Sequence, residues 1–231
     1  MHAEPTMLLV HSPLLTSATW DALRPHLEAA GWRTAVLDLR PLVEAPSFHA
    51  AVCAEAATSV SPGALTVVGH SRAGAYLPGI ADAVGSHRLD VVFLDARLPH
   101  PGTSWVGSLP RERATWLREM AVSGRLPTWD TWFPTASLDD LLPDPGQRRH
   151  VLHDLPELPW KLVSEVLPAP GATWNSARRI YLQLSAAYGS TAERAEEGGY
   201  LVRRMDGDHL AMVTQPAMVT DLLLSAIGTS D

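Results

Sequence analysis

The run LTVVGHSRAGAY (65–76) carries Ser71 at the point where an apolar, β-branched stretch gives way to a helical pattern. Around it, Gly69-His70-Ser71-Arg72-Ala73-Gly74 approximates the nucleophile elbow G-x-S-x-G, with Ala73 in the last small position. Such a turn needs small neighbours, because the serine takes a strained backbone conformation while strand and helix approach closely. It also lifts the hydroxyl above the sheet's carboxyl edge at a helix start, where backbone amides favour developing negative charge. A serine that merely caps the following helix is the plainer reading. It leaves the preceding strand and the small residues on both flanks without a purpose.

A serine becomes a useful nucleophile when a base takes its proton. The run MDGDHLAMVTQPAMVTDLLL (205–224) supplies one: a strand ends, a polar turn presents His209, and Pro216 precedes the last helix. The other nine histidines lack this setting. His70, next to the nucleophile, is expected to shape the pocket floor.

Both residues need a sheet with a common carboxyl edge. Apolar runs at 6–11, 33–39, 64–70, 89–95, 179–185 and 199–205 are nearly continuous, as in parallel strands covered on both faces. Helical patterns at 20–31, 47–60, 72–85 and 217–228 alternate with them. This predicts an α/β fold with a doubly wound, mainly parallel sheet. From about residue 100 to 177 the rhythm breaks, and that stretch holds ten of the nineteen prolines and six of the eight tryptophans. It reads as an inserted helical cap, leaving residues 1–99 and 178–231 as the core.

Together with the opening LLVHSPLLTSATWDALRPHLEAAGWRTAVLDL, these motifs resemble the α/β-hydrolase superfamily over most of the chain. The resemblance is nearest to small bacterial esterase-like members and to the hydroxynitrile-lyase/plant-esterase branch, which share a comparable His-small-x opening. It implies a Ser, acid, His order along the chain. Two features depart from the pattern. The acid normally follows the strand after the cap, but YLQLSAAYGS (181–190) has no carboxylate before Glu193. Asp95, ending VVFLD on the strand after the nucleophile strand, is the favoured substitute; it is equally placed to cap the turn that follows. Asp206 and Asp208 lie too close in sequence to His209 to orient it. The resemblance also implies oxyanion donors at the amides of Arg72 and Pro13, and proline has no N–H. Ser12 is the nearest replacement.

The net charge of −7, without a run of Lys or Arg, speaks against nucleic acid as a partner. A single cysteine, Cys53, excludes an internal disulfide framework and reads as a small helix hydrophobe. No signal-peptide pattern and no long apolar span is evident, so a cytoplasmic protein away from membranes is expected. The expected function is hydrolysis of an ester, thioester or lactone of a sizeable apolar small molecule, with no metal or organic cofactor and with a homodimer allowed. The alternatives are a lyase or biosynthetic cyclase or eliminase using the same Ser-His pair as acid and base, and a small-molecule receptor on a disabled scaffold. Intact Ser71 and His209 disfavour the receptor.

Overall fold

The computed structural model describes residues 5–61, 63–86 and 88–228. The apolar runs form Thr6–Val10 (β1), Arg33–Leu37 (β2), Leu65–His70 (β3) and Leu89–Leu94 (β4), then Arg178–Ser185 (β7) and Leu201–Gly207 (β8). Between β4 and β7, Arg125–Leu126 (β5) pairs antiparallel with Leu158–Pro159 (β6) as a two-residue ladder. The other six strands make one sheet in the order β2-β1-β3-β4-β7-β8, and every neighbouring pair is parallel. The sheet was expected to be mainly parallel, and it is parallel throughout.

Period-two alternation divides the core into two layers. Leu8, Val67, Val91 and Phe93 face one side. They pack with Phe48 and Val52 of Phe48–Ser59 (α2) and with Leu77 and Ile80 of Leu77–Val84 (α3). Met7, Leu9, Val68 and Val92 face the other, against Leu27 of Arg24–Ala29 (α1) and Val219 and Leu223 of Pro216–Gly228 (α11). Helices on both sides explain why every β3 residue is buried.

Two helices start later than their apolar periodicity suggests. Pro25 lies in the first turn of α1, and Pro78 in the first turn of α3. Proline lacks the N–H that would continue the ladder backwards, so the preceding segments become the 3₁₀ turns Ser17–Trp20 and Ser71–Tyr76.

Residues 100–177 add no strand to the six-stranded sheet. They hold Arg111–Met120 (α4), Thr135–Leu141 (α5), Pro145–Val151 (α6), Trp160–Ser164 (α7) and Ala172–Ser176 (α8). Trp132 links this segment's tryptophans, stacking on Trp105 at 6.4 Å and meeting Trp116 edge-on at 5.9 Å. Polar ties hold the segment down: Glu165 accepts from the Ser47 hydroxyl and the His49 amide, and Asp82 accepts the amides of Gly171 and Trp174. After β7 come Gly189–Glu197 (α9) and, beyond β8, Ala211–Thr214 (α10). Among the described residues no helix is long and apolar enough to cross a membrane.

Along the sheet the winding direction reverses between β1 and β3. At such a switch point the loops beyond the two carboxyl ends diverge and leave a crevice. Here those loops begin with His11 and Ser71.

Candidate active site

Ser71 follows β3 immediately and has φ 57°, in the left-handed region where a side chain is strained. The turn is held from the neighbouring loop, since the Arg97 amide donates to the Ser71 carbonyl at 2.9 Å. That approach fixes which neighbour must be glycine. A Cβ on Gly74 would lie 2.1 Å from the Arg97 carbonyl oxygen, whereas Ala73 is accommodated and fully buried. The close-packing requirement therefore falls at Gly74, one residue beyond the position the motif marks. The Ser71 side chain caps neither the 3₁₀ turn nor α3. Instead its hydroxyl donates to His209 Nε2 at 3.1 Å.

Strand register explains how the other partners arrive. His70 pairs with Leu94 across β3 and β4, so the residues just past the two strand ends, Ser71 and Asp95, lie side by side. Asp95 also adopts positive φ, 45°. Its amide donates to the Leu182 carbonyl at 2.7 Å, anchoring the turn to β7. His209 lies just past β8, on the far side of β7. Between them β7 ends in Ser185, small enough to let the carboxylate reach across.

The Asp95 carboxylate is completely buried yet fully satisfied. Oδ1 accepts the amides of Leu184 and Ser185 at 2.9 and 3.1 Å. Oδ2 accepts the Ser185 hydroxyl at 2.6 Å and His209 Nδ1–H at 2.7 Å. With Nδ1 donating to the acid, Nε2 is left as the acceptor that faces Ser71. Glu193 lies exposed on α9. Asp208 turns back to accept the Leu210 amide at 2.9 Å, and burial holds its carboxyl above the ordinary aspartate value.

Two rings pack against the imidazole. Tyr188 stacks on it with centroids 4.9 Å apart and planes 5° from parallel. His70 lies 4.5 Å away, tilted by 38°. His70 is fully buried and donates from Nε2 to the His209 carbonyl at 2.9 Å. Burial drives its pKa well below the ordinary histidine value, so the ring is neutral. Burial likewise raises the Tyr188 phenol, while Arg97 and an interaction with Ser71 pull the other way. Sequence reasoning missed Tyr188 and Ser185. The available signal was their place in the turn after β7, where the acid was sought, but neither residue type advertises a role.

The remaining candidates sit beside this line of hydrogen bonds. Arg72 is the second residue of the 3₁₀ turn, directly after Ser71. Ser12 is buried in the loop after β1, next to the elbow because Val10 pairs with Gly69. His11 shapes that loop by accepting the Leu39 amide at 2.9 Å and donating from Nδ1 to the Ser12 carbonyl at 2.7 Å. The Ser12 hydroxyl accepts the Leu14 amide at 3.3 Å, which leaves its own proton to give. Cys53 lies half-buried on α2 with its thiol pushed up to about 11, an inert setting.

No protein-family model matches the chain, and no curated protein matches it. Solved structures do. An extracellular α/β-hydrolase from a Paenibacillus species superposes with a TM-score of 0.72 at 20% identity, covering 96% of this chain and 98% of that one. The chain has the α/β-hydrolase fold. A pyrethroid hydrolase from Sphingobium faniae gives 0.66 at 17% identity, over 97% and 98% of the two chains. Tomato methylketone synthase I, in complex with β-ketoheptanoate, gives 0.68 at 16% identity over the same shares. Among solved α/β-hydrolase folds the chain is thus similar both to hydrolases and to a synthase. Overlap of folds leaves the reaction to be argued from the site.

Proposed function

We propose that this chain is a serine hydrolase acting on an ester, thioester or lactone of a sizeable apolar small molecule. The observation that carries the reading is the unbroken line of hydrogen bonds from Ser71 Oγ through His209 to Asp95, at 3.1 and 2.7 Å. As Ser71 attacks the carbonyl carbon, its proton passes to His209 Nε2, and Asp95 stabilises the imidazolium that forms. The Arg72 amide and the Ser12 hydroxyl donate to the oxyanion. The tetrahedral adduct collapses, the scissile C–O or C–S bond breaks, and His209 returns the proton to the departing oxygen or sulfur. Water, deprotonated by the same imidazole, then releases the acid and restores Ser71. The aromatic cluster of Trp105, Trp116 and Trp132 supports an apolar or aromatic substrate body. A panel of p-nitrophenyl esters of graded acyl length tests the reading, with Ser71→Ala as its control. Turnover should vanish in the alanine variant, and undiminished activity there would remove the covalent mechanism.

A lyase or cyclase using Ser71 and His209 as acid and base is the second reading. Pro13 favours it, because an amide is missing where a tetrahedral oxyanion would want one. Wild-type protein inert toward every ester, yet binding carbonyl compounds, would put this reading first.

A further inference from the structure

Beside the proposed nucleophile lies a cation with no carboxylate partner among the described residues. Arg72 is only 6% exposed. Its guanidinium carbon sits 4.1 Å from the centre of the Trp105 ring. One Nη donates to His100 Nε2 at 3.4 Å, and the buried Nε–H has no acceptor among the described residues. Among the described residues no carboxylate forms an ion pair with it, although acidic residues outnumber basic ones in the chain, 25 to 18. The nearby carboxylate of the site, Asp95, is already filled by four donors. Arg97 brings a second guanidinium, 5.2 Å from the centre of the Tyr188 ring that covers His209. Burial pulls Arg72 down to about 10, and Arg97 acts in the same direction. Arg72 is nonetheless protonated at neutral pH.

A buried, unpaired charge is unfavourable in the ligand-free protein, as is an N–H with no acceptor. Trp105 covers one face of the guanidinium. Stacking leaves the in-plane N–H groups uncovered by the ring, and those not given to His100 can meet the two oxygens of a carboxylate. Relying on the acyl-transfer reading only for where the reacting carbonyl sits, we propose that Arg72 and Arg97 form an anion subsite next to Ser71, built for the carboxylate of a substrate whose body is apolar or aromatic. The tryptophan cluster keeps the role proposed above. The change is that the favoured substrate is an acid, not a wholly uncharged molecule.

Binding can be read without turnover. Tryptophan fluorescence or calorimetry would compare phenylacetate with phenylacetamide, which has the same shape and no charge, and with inorganic phosphate. Wild-type protein should prefer the acid over the amide by roughly tenfold or more, as charge-assisted pairing in a buried site implies. Arg72→Met should erase that preference and Arg72→Lys should keep part of it. Arg72→Met should also raise the melting temperature of the ligand-free protein, since it removes a buried charge while filling the same space. Equal binding of acid and amide to wild type overturns the subsite, whether or not the variants fold. So does a preference unchanged in both Arg72→Met and Arg97→Gln, and so does phosphate binding tighter than phenylacetate. Should every ester stay intact while the acid preference holds, the hydrolase reading falls and the subsite stands. Ester hydrolysis without the preference gives the reverse.

Discussion

Ser185 donates its hydroxyl proton to Oδ2 of Asp95 across 2.6 Å, from the end of the strand that separates Asp95 from His209. The same oxygen accepts the imidazole Nδ1–H, so the serine fixes the angle at which the acid meets the proposed base. In a site where Asp95 is fully buried, that orientation is set by hydrogen bonds and not by water.

Asp95→Asn should therefore lower turnover far more than Glu193→Gln, by a factor on the order of 10⁴, because the amide favours the wrong imidazole tautomer. Ser185→Ala keeps the charge and loses one donor. It should slow turnover much less and reduce stability by about 1–3 kcal/mol. Steady-state kinetics and urea unfolding of the three variants check this ranking. Glu193→Gln inactive beside a working Asp95→Asn would reverse the assignment.

Gly74→Ala should destabilise more than Gly69→Ala. At Gly74 the added carbon meets a backbone oxygen at 2.1 Å. At Gly69 it meets only the Leu77 side chain, at 2.8–3.0 Å, and that side chain can turn aside. Overpacking typically costs about 1–3 kcal/mol, and Gly74 belongs at or beyond the top of that range. Urea midpoints of the two variants decide; equal values would mean that the Arg97 loop gives way freely.

Stability should fall as the pH drops below about 6.5. His70 is neutral in the fold, its pKa held well below the ordinary histidine value of 6.5 by burial. The unfolded chain then binds a proton that the folded one does not, so the contribution is complete above 6.5 and is lost as pH falls towards the folded pKa. Half-buried His49 and His100 are shifted downward as well, first by burial, and add the same sign. Melting temperatures between pH 7.5 and 5 should show this slope, flattened in His70→Gln. A variant with the full wild-type slope would assign the effect to the other two.

Ser12→Ala should cost roughly one oxyanion donor, ~2.7–4 kcal/mol in acyl-transfer activation free energy. Pro13→Ala, which restores an N–H, should be neutral or mildly activating. Ester hydrolysis unchanged in Ser12→Ala would remove the hydroxyl from the site.

Much of the fold was legible because apolar runs and their breakers are local signals. The six strands lie within two residues of their predicted ends, and the elbow was readable from Gly69, Ser71 and a helix close behind. Asp95 could be singled out only as one of two carboxylates. The hydrogen bonds that distinguish it from Glu193 join residues 89, 90 and 114 positions apart. Arg72 marks another limit. Its sequence position suggested a backbone donor, and nothing in the run GHSRAG shows that its side chain is buried without a carboxylate. The requirement at Gly74 was hidden for a similar reason, because the oxygen that enforces it arrives from the loop after β4.

The packing of Tyr188 and His70 against the His209 ring, with the His209 carbonyl tied to His70 Nε2, has an entropic consequence. An imidazole on an open loop would sample several rotamers, and each catalytic cycle would wait for the aligned one. Here two rings pack against the imidazole and the main chain is held, so much of the ring's freedom is surrendered once, during folding. The barrier to proton transfer then carries little of the cost of finding the right orientation.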